Sequence, residues 1–430
     1  QAEMEAAAGV SKTAIIVISR RSGEGSDRNP SKGDYYLSDD ERKLIKMAGD
    51  ALFRNVVVVL NIGGIIDTSW IEEYSCIKSV LLAWQPGMEG GLAVADILTG
   101  DVTPSGKLSD TFAKDFADYP EFYDSDYYVN YTEDIYVGYR WFETFDPKYE
   151  RVNYEFGYGL SYTDFSISDV KVTEKDGQLV TTAKVTNTGS SYSGKEVVQV
   201  YFSAPQGKLG KPGKELAGFA KTGLLAPGKS ETLEIAFDID DMSSYDDTGK
   251  VQKSAYVMEA GDYKIYVGNS IRNAGENGVR YTYKVDKDTV TQQLSKQLAP
   301  IQLEKRLLAD GSYENLETLD TIEGIGTPVS PDGTTKIEAE DLFYKHYHAK
   351  VYYNDEGTVC GLEALTSDTG INRWASYIVD VEQAGKYALG LAIGNGGSGV
   401  KNSVAVYIDD VKQDGISLNF PNTGGKWNIK

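Results

Sequence analysis

The sequence predicts a chain of three folded parts: an α/β domain on a mainly parallel sheet, an immunoglobulin-like β-sandwich, and a second β-sandwich. Three observations carry this. The 430 residues suggest about three domains. Up to about residue 164, apolar strand-like runs alternate with helix-like stretches, the pattern of a parallel sheet covered by helices. Beyond it the pattern changes twice to short alternating runs separated by turn residues, as antiparallel sandwiches require.

Within the first part, residues 1–164, Thr13-Ala-Ile-Ile-Val-Ile-Ser19 is an unbroken apolar run, read as a strand buried on both faces. Ser38-Asp-Asp-Glu41 has the spacing of a capping box and predicts a helix over Arg42–Phe53. Further strands are expected at Asn55–Leu60 and Ser79–Ala83, with another helix after Pro86. In open sheets of this kind ligands sit beyond the carboxyl ends of the strands, which singles out the loop that begins at Arg20.

The second part, 165–287, shows strand-like runs at Leu179–Val185, Glu196–Phe202, Glu231–Phe237 and Asp262–Val267, with Asn187-Thr-Gly189 and Ala226-Pro-Gly228 as turns. Residues 288–333 read as a linker containing one helix-like stretch, Leu294–Leu308. Strand-like runs resume in 334–430, among them Ser376–Val381, Gly385–Ile393 and Ser403–Ile408.

The net charge of −21, with no basic stripe, makes nucleic acid and anionic membranes poor partners and leaves a neutral sugar compatible. No apolar run reaches the roughly 20 residues needed to span a bilayer. Cys76 and Cys360 are too few and too far apart for a disulfide framework or a zinc site, and read as free thiols. His346 and His348 share one strand face but are too few to hold a metal, and Asn130-Tyr-Thr132 is a sequon by pattern alone. The chain reads as a piece of a longer protein, so the lack of a signal peptide at its start says nothing about destination.

One motif carries chemistry. Ser22-Gly-Glu-Gly-Ser-Asp-Arg28 follows the first strand and sets a carboxylate between two glycines. The glycines permit a tight turn and leave the Glu24 side chain unobstructed. Glycoside cleavage needs a protonated carboxyl to donate to the leaving oxygen and a second carboxylate opposite it. Asp27 and Arg28 are placed to tune or orient such a group and to touch substrate. On composition alone, a solvated acidic turn is the better explanation of the segment.

Longer motifs change that balance. Pro86-Gly-Met-Glu-Gly-Gly-Leu-Ala-Val-Ala-Asp-Ile-Leu-Thr-Gly100, Pro104-Ser-Gly-Lys-Leu108, Glu133-Asp-Ile-Tyr-Val-Gly-Tyr-Arg-Trp-Phe142 and Tyr154-Glu-Phe-Gly-Tyr-Gly-Leu-Ser-Tyr-Thr163 occur in order. Together they resemble the second, α/β-sandwich domain of glycoside hydrolase family 3. In that family the domain lends a loop to the active site of a neighbouring (β/α)8 barrel. In the β-glucosidase branch the loop reads Gly-Glu-Gly-x-Asp-Arg, and its glutamate is the general acid/base. The resemblance assigns that role to Glu24. The family's barrel aspartate, within Ser-Asp-Trp, and its Lys-His-Phe motif do not occur here, so the resemblance implies a barrel outside this chain and no hydrolysis by the chain alone. Gly90 and Gly91 are expected to allow close helix–sheet packing. Trp84, Tyr139 and Trp141 are expected mainly to pack, the stretch 136–142 between domains.

Residues 165–287 resemble the fibronectin type III-like domain that follows in many members, through Val185-Thr-Asn-Thr-Gly189, Gly194-Lys-Glu-Val-Val-Gln-Val-Tyr201 and Gly223-Leu-Leu-Ala-Pro-Gly228. Residues 334–430 resemble a truncated family 6-like carbohydrate-binding module of jelly-roll type, through Lys336-Ile-Glu-Ala-Glu-Asp341, Arg373-Trp-Ala-Ser-Tyr-Ile-Val-Asp-Val381 and Pro421-Asn-Thr-Gly-Gly-Lys-Trp427. That resemblance implies sugar stacking on Trp427 and Trp374, and a structural Ca²⁺ held by Glu338 and Glu340. The parent protein is therefore expected to cleave β-glucosides or related oligosaccharides with no catalytic cofactor. A non-catalytic sugar-binding scaffold and another β-glycosidase such as a β-xylosidase are the rival readings.

Overall fold

The computed structural model describes residues 1–22, 28–120, 130–294 and 303–316, and beyond these 326–330, 333–339, 344–345, 350–353, 359–363, 375–391, 400–401, 405–408, 411–414 and 419–420. The chain divides into two compact units, Gln1–Asp320 and Thr321–Lys430.

The first unit opens with helix α1 (Ala2–Val10) and strand β1 (Thr13–Arg20), followed by α2 (Asp39–Asp50), β2 (Asn55–Ile62), α3 (Trp70–Glu73), β3 (Ile77–Leu82) and α4 (Gly90–Thr99). The three strands form a parallel sheet in the order β1-β2-β3, with Thr13 opposite Asn55 and Arg20 opposite Ile62. The capping box is present: Glu41 N donates to Ser38 Oγ at 3.2 Å, and Ser38 N donates to Glu41 Oε2 at 2.8 Å. It opens α2 at Asp39, so the helix starts and ends three residues earlier than the periodicity suggests.

Ile16, Ile18, Leu37, Ile45, Ala48, Val56, Val58, Leu60, Ile62 and Trp70 make one core. On the opposite face of β1, Ile15 and Val17 remain 55% and 59% exposed. The expectation of a strand buried on both faces is therefore corrected for β1. An apolar run has no period, so it cannot distinguish one covered face from two.

The short pair β4 (Phe112–Ala113) and β5 (Val152–Tyr154) brackets helix α5 (Tyr139–Phe145). The sandwich follows as β6 (Phe165–Lys175), β7 (Gln178–Asn187), β8 (Val197–Ser203), β9 (Glu215–Lys221) and β10 (Ser230–Asp238), then β11 (Ser244–Asp246), β12 (Ala255–Met258), β13 (Gly261–Gly268), α6 (Ile271–Glu276) and β14 (Val279–Val285). A sheet β10-β7-β6 packs on a sheet β14-β13-β8-β9 over Leu179, Val185, Val198, Val200, Phe237 and Ile265. All four strands expected from the alternation are present.

The stretch read as a linker is partly built into the first unit. Strand β15 (Thr289–Gln293) pairs with β12. Strands β16 (Lys305–Leu307) and β17 (Tyr313–Asn315) form a hairpin, so 305–307 are strand and not part of the helix expected over Leu294–Leu308, of which 295–302 lie outside the described residues. Arg306 pins this hairpin: its guanidinium meets Asp247 at 2.8 Å, Asp134 at 3.4 Å and Glu314, while Leu307 N donates to Thr132 O at 2.7 Å. A charged hub on a polar background leaves no hydrophobic period to read.

The α/β part and the sandwich are joined by buried polar contacts. Lys107 pairs with Glu196 at 2.8 Å and Lys214 with Glu143 at 2.6 Å, and Ser270 Oγ donates to Glu155 Oε1 at 2.7 Å. Tyr139 stacks on Phe156 with centroids 4.3 Å apart, and its hydroxyl accepts from Leu216 N at 3.0 Å. The aromatic stretch thus packs between domains as expected. The expectation for the two glycines fails in part. A Cβ on Gly90 would collide with the Pro86 ring, not with the sheet, and Gly91 faces open space.

In the second unit, Thr327–Val329 pairs in parallel with Val379–Val381. Tyr344–Lys345 pairs antiparallel with Ala375–Ser376, and Lys350–Tyr353 with Val359–Glu363. Strands are thus present within the expected run Ser376–Val381, but the strand expected over Gly385–Ile393 is absent from its described residues, 385–391. Among the described residues no helix is long and apolar enough to cross a membrane.

Candidate active-site loop

Three loops leave the carboxyl ends of β1, β2 and β3, and they converge. A Cβ on Gly63, just past β2, would overlap the Ser22 side chain past β1 and crowd the Gln85 amide past β3. Only glycine allows that approach. Between Ala83 and Gln85, Trp84 holds φ at 53°, a left-handed conformation that costs a bulky residue about 1–3 kcal/mol. Its ring lies 6.4 Å from that of Phe112 and packs at the margin of the sheet core.

Two arginines fix the base of the first loop. Arg20, the last residue of β1, is 8% exposed and forks onto Glu41, with Nη1 at 2.6 Å from Oε1 and Nη2 at 2.7 Å from Oε2. Its Nε donates to Asp34 O at 2.8 Å. Glu41 is the same residue that caps α2, so one carboxylate ties the strand end to the helix start. Burial alone would raise the Glu41 carboxyl, but the Arg20 and Ser38 hydrogen bonds outweigh it and hold the group below its ordinary range.

Arg28 stands at the far end of the loop. Its Nη1 donates to Arg21 O at 3.0 Å and to Asp34 Oδ1 at 3.0 Å, and its Nη2 donates to Gly63 O. Asp34 is held in turn by Asn29 N at 2.8 Å, and this bond, with the Arg28 contact, keeps its carboxyl below the ordinary range. The guanidinium thus links both ends of segment 21–28 to each other and to the next strand-end loop. Its Nε is buried and finds no hydrogen-bond partner among the described residues.

Of the residues singled out from sequence, Arg28 is placed at this strand-end cluster and Glu338 lies in the second unit, where its carboxylate pairs with the Lys336 ammonium. Glu24, Asp27, Trp374, Trp427, Glu340, His346 and His348 lie outside the described residues. Sequence reasoning missed Arg20, Asp34, Glu41 and Gly63 as the groups that close the loop. The one available signal was an arginine ending an otherwise apolar strand, because a buried guanidinium demands acceptors.

Residues 1–162 match the glycosyl hydrolase family 3 C-terminal domain, and residues 196–271 match the fibronectin type III-like domain. Beta-glucosidase A of Butyrivibrio fibrisolvens is 47% identical over 75% of this chain and 43% of its own length. The beta-glucosidase of Ruminococcus albus is 45% identical over 72% of this chain and 32% of its own length. Among solved structures, a beta-glucosidase from Paenibacillus barengoltzii superposes with a TM-score of 0.65 at 43% identity, covering 73% of this chain and 35% of that one. Beta-glucosidase 3B from Thermotoga neapolitana, in complex with α-D-glucose, gives 0.60 at 41% identity, covering 68% and 40%. This chain therefore spans less than half the length of each of these relatives. Within that span the match to the glycosyl hydrolase family 3 C-terminal domain is followed by the match to the fibronectin type III-like domain.

Proposed function

We propose that this chain is the part of a retaining β-glucosidase that supplies the general acid/base loop, with Glu24 as the acid/base and a barrel outside this chain carrying the aspartate nucleophile. The observation that carries the reading is the loop base: Arg28 ties the segment holding Gly-Glu-Gly to the carboxyl end of a parallel sheet, where ligands of such sheets bind. The matched family domain and the similarity to β-glucosidases support it.

The aspartate attacks the anomeric carbon while Glu24 gives its proton to the leaving oxygen, releasing the aglycone as an alcohol. Water then attacks the same carbon, Glu24 takes its proton, and the aspartate leaves with the anomeric configuration retained. Retention places the two carboxyls about 5–5.5 Å apart. Glu24 must be protonated for the first step, so enclosure by the barrel has to raise its pKa. Arg28, with its guanidinium committed to three protein oxygens, positions the loop. Asp27, outside the described residues, is proposed from the motif to meet the sugar.

Residues 334–430 act in this reading as a sugar-binding sandwich, with Trp427 and Trp374 as stacking surfaces. Glu338 and Glu340 are the ligands proposed for a structural Ca²⁺ in this module; Glu338 pairs with the exposed Lys336 ammonium, and Glu340 lies outside the described residues.

The test compares this chain with a protein containing it joined to a barrel. Released glucose is followed by proton NMR on an aryl β-glucoside. The expected result is no turnover by the chain alone and initial release of β-glucose by the joined protein. Release of α-glucose would contradict retention, and turnover by the chain alone would contradict the divided site.

A further inference from the structure

At the edge of the parallel sheet opposite the Arg28 loop, a cavity of about 760 Å³ opens beside the amino ends of the strands. Lys12, Arg54 and Cys76 directly precede β1, β2 and β3, and all three line it together with Lys46 and Lys78. Its two carboxylates are already paired: Asp50 with Lys46 at 2.5 Å and Glu73 with Arg42 at 2.6 Å. Lys12 Nζ and Lys78 Nζ reach only the carbonyl oxygens of Ala8 and Ser75, and the Arg54 guanidinium has no partner among the described residues. Three cationic groups without a carboxylate thus share one cavity in a chain of net charge −21.

Backbone donors near the floor are spent, since Arg54 N and Asn55 N both donate to Lys12 O and Val56 N to Cys76 O. An anion there is held by side chains. The other walls are apolar: Phe53 and Tyr74 are half-buried, and Leu52 is 78% exposed. Leu52 also sits at φ 63°, past the end of α2, where glycine is the usual residue. The fold tolerates backbone strain there and keeps a large apolar side chain on the rim.

We propose that this cavity binds a phosphomonoester with an apolar or aromatic body, the phosphate on Lys12, Arg54 and Lys78 and the body against Leu52, Phe53 and Tyr74. A tetrahedral dianion takes donors from several directions, whereas a planar carboxylate is satisfied by a single arginine fork. The negative end of the α2 dipole opposes an anion nearby with about half a charge, which the cations outnumber.

The test titrates adenosine monophosphate into the 430-residue chain at low ionic strength by calorimetry. Saturable binding is expected, with adenosine and inorganic phosphate each weaker by about tenfold or more. The double variant Arg54→Gln/Lys78→Gln should bind the nucleotide about tenfold more weakly, while Lys184→Gln, on β7, leaves binding unchanged. Leu52→Gly should weaken nucleotide binding while raising the melting temperature, which separates a binding role from a folding defect. Absence of saturable binding, equal affinity in the double variant, or inorganic phosphate binding as tightly as the nucleotide would each overturn the assignment.

Discussion

The guanidinium of Arg28 donates to the carbonyl oxygen of Arg21 at 3.0 Å, so the two ends of the segment that contains Glu24 are one hydrogen bond apart. A loop closed at its base loses less entropy when a substrate orders it than one held at a single end.

Replacing Arg28 removes that closure along with the contacts to Asp34 and Gly63. Arg28→Ala should lower unfolding free energy by about 2–3 kcal/mol, the range for charged hydrogen bonds with partners left behind. Arg28→Lys should recover only part, since one ammonium cannot span three acceptors in a fork. Amide exchange across residues 21–34 should accelerate in both variants. Unchanged exchange would show that the loop base is held by other means.

Glu41 serves the Arg20 fork and the α2 cap at once. Glu41→Gln keeps the capping geometry but leaves Arg20 without its carboxylate, and should cost about 3 kcal/mol in denaturant melts. Ser38→Ala removes only the cap and should cost about 1 kcal/mol. Equal losses in the two variants would refute the separate role of the ion pair.

Asp246 is fully buried and accepts from Gly249 N, Lys250 N, Val251 N and Gln252 N at 2.7–3.1 Å. Burial alone would raise its carboxyl, but these four donors outweigh it and lower the pKa. A lowered carboxylate adds stability that is complete above the unfolded value of about 4 and is lost as pH falls through the folded value. Asp246→Asn should therefore destabilise the chain at neutral pH by about 2–4 kcal/mol and flatten the acid limb of its stability curve below about pH 4. A variant whose melting temperature falls equally at pH 7 and pH 3 would contradict this.

The hairpin at 305–315 is held through Arg306, whose side chain is 11% exposed among Asp134, Asp247 and Glu314. Arg306→Ala leaves three carboxylates facing one another, and proteolysis within 303–316 should become rapid while the sandwich stays intact. Continued protection would mean that Leu307, 7% exposed, suffices to dock the hairpin.

The elements with a hydrophobic period or a cap signature were legible in the sequence. Ser38 and Glu41 announced α2, and the alternation over 179–185 and 231–237 announced β7 and β10. The site was legible only as a motif and its place after a strand. Its supports were not, because Arg28, Asp34 and Gly63 meet through contacts across 6 to 35 positions that leave no local pattern. The same holds for the hairpin at 305–315, which is built on charge, and for the exposed face of β1, which is as apolar as the covered one.

Glu24 is proposed as the acid/base of a β-glucosidase completed by a barrel. The most direct test of that role is Glu24→Gln in the full-length parent protein, assayed on activated aryl β-glucosides and on poor leaving groups, with and without azide. Cleavage of poor leaving groups by the variant should be abolished. Azide should partly restore turnover of activated substrates, as the β-glucosyl azide. Undiminished hydrolysis of poor leaving groups by the variant would contradict the acid/base assignment.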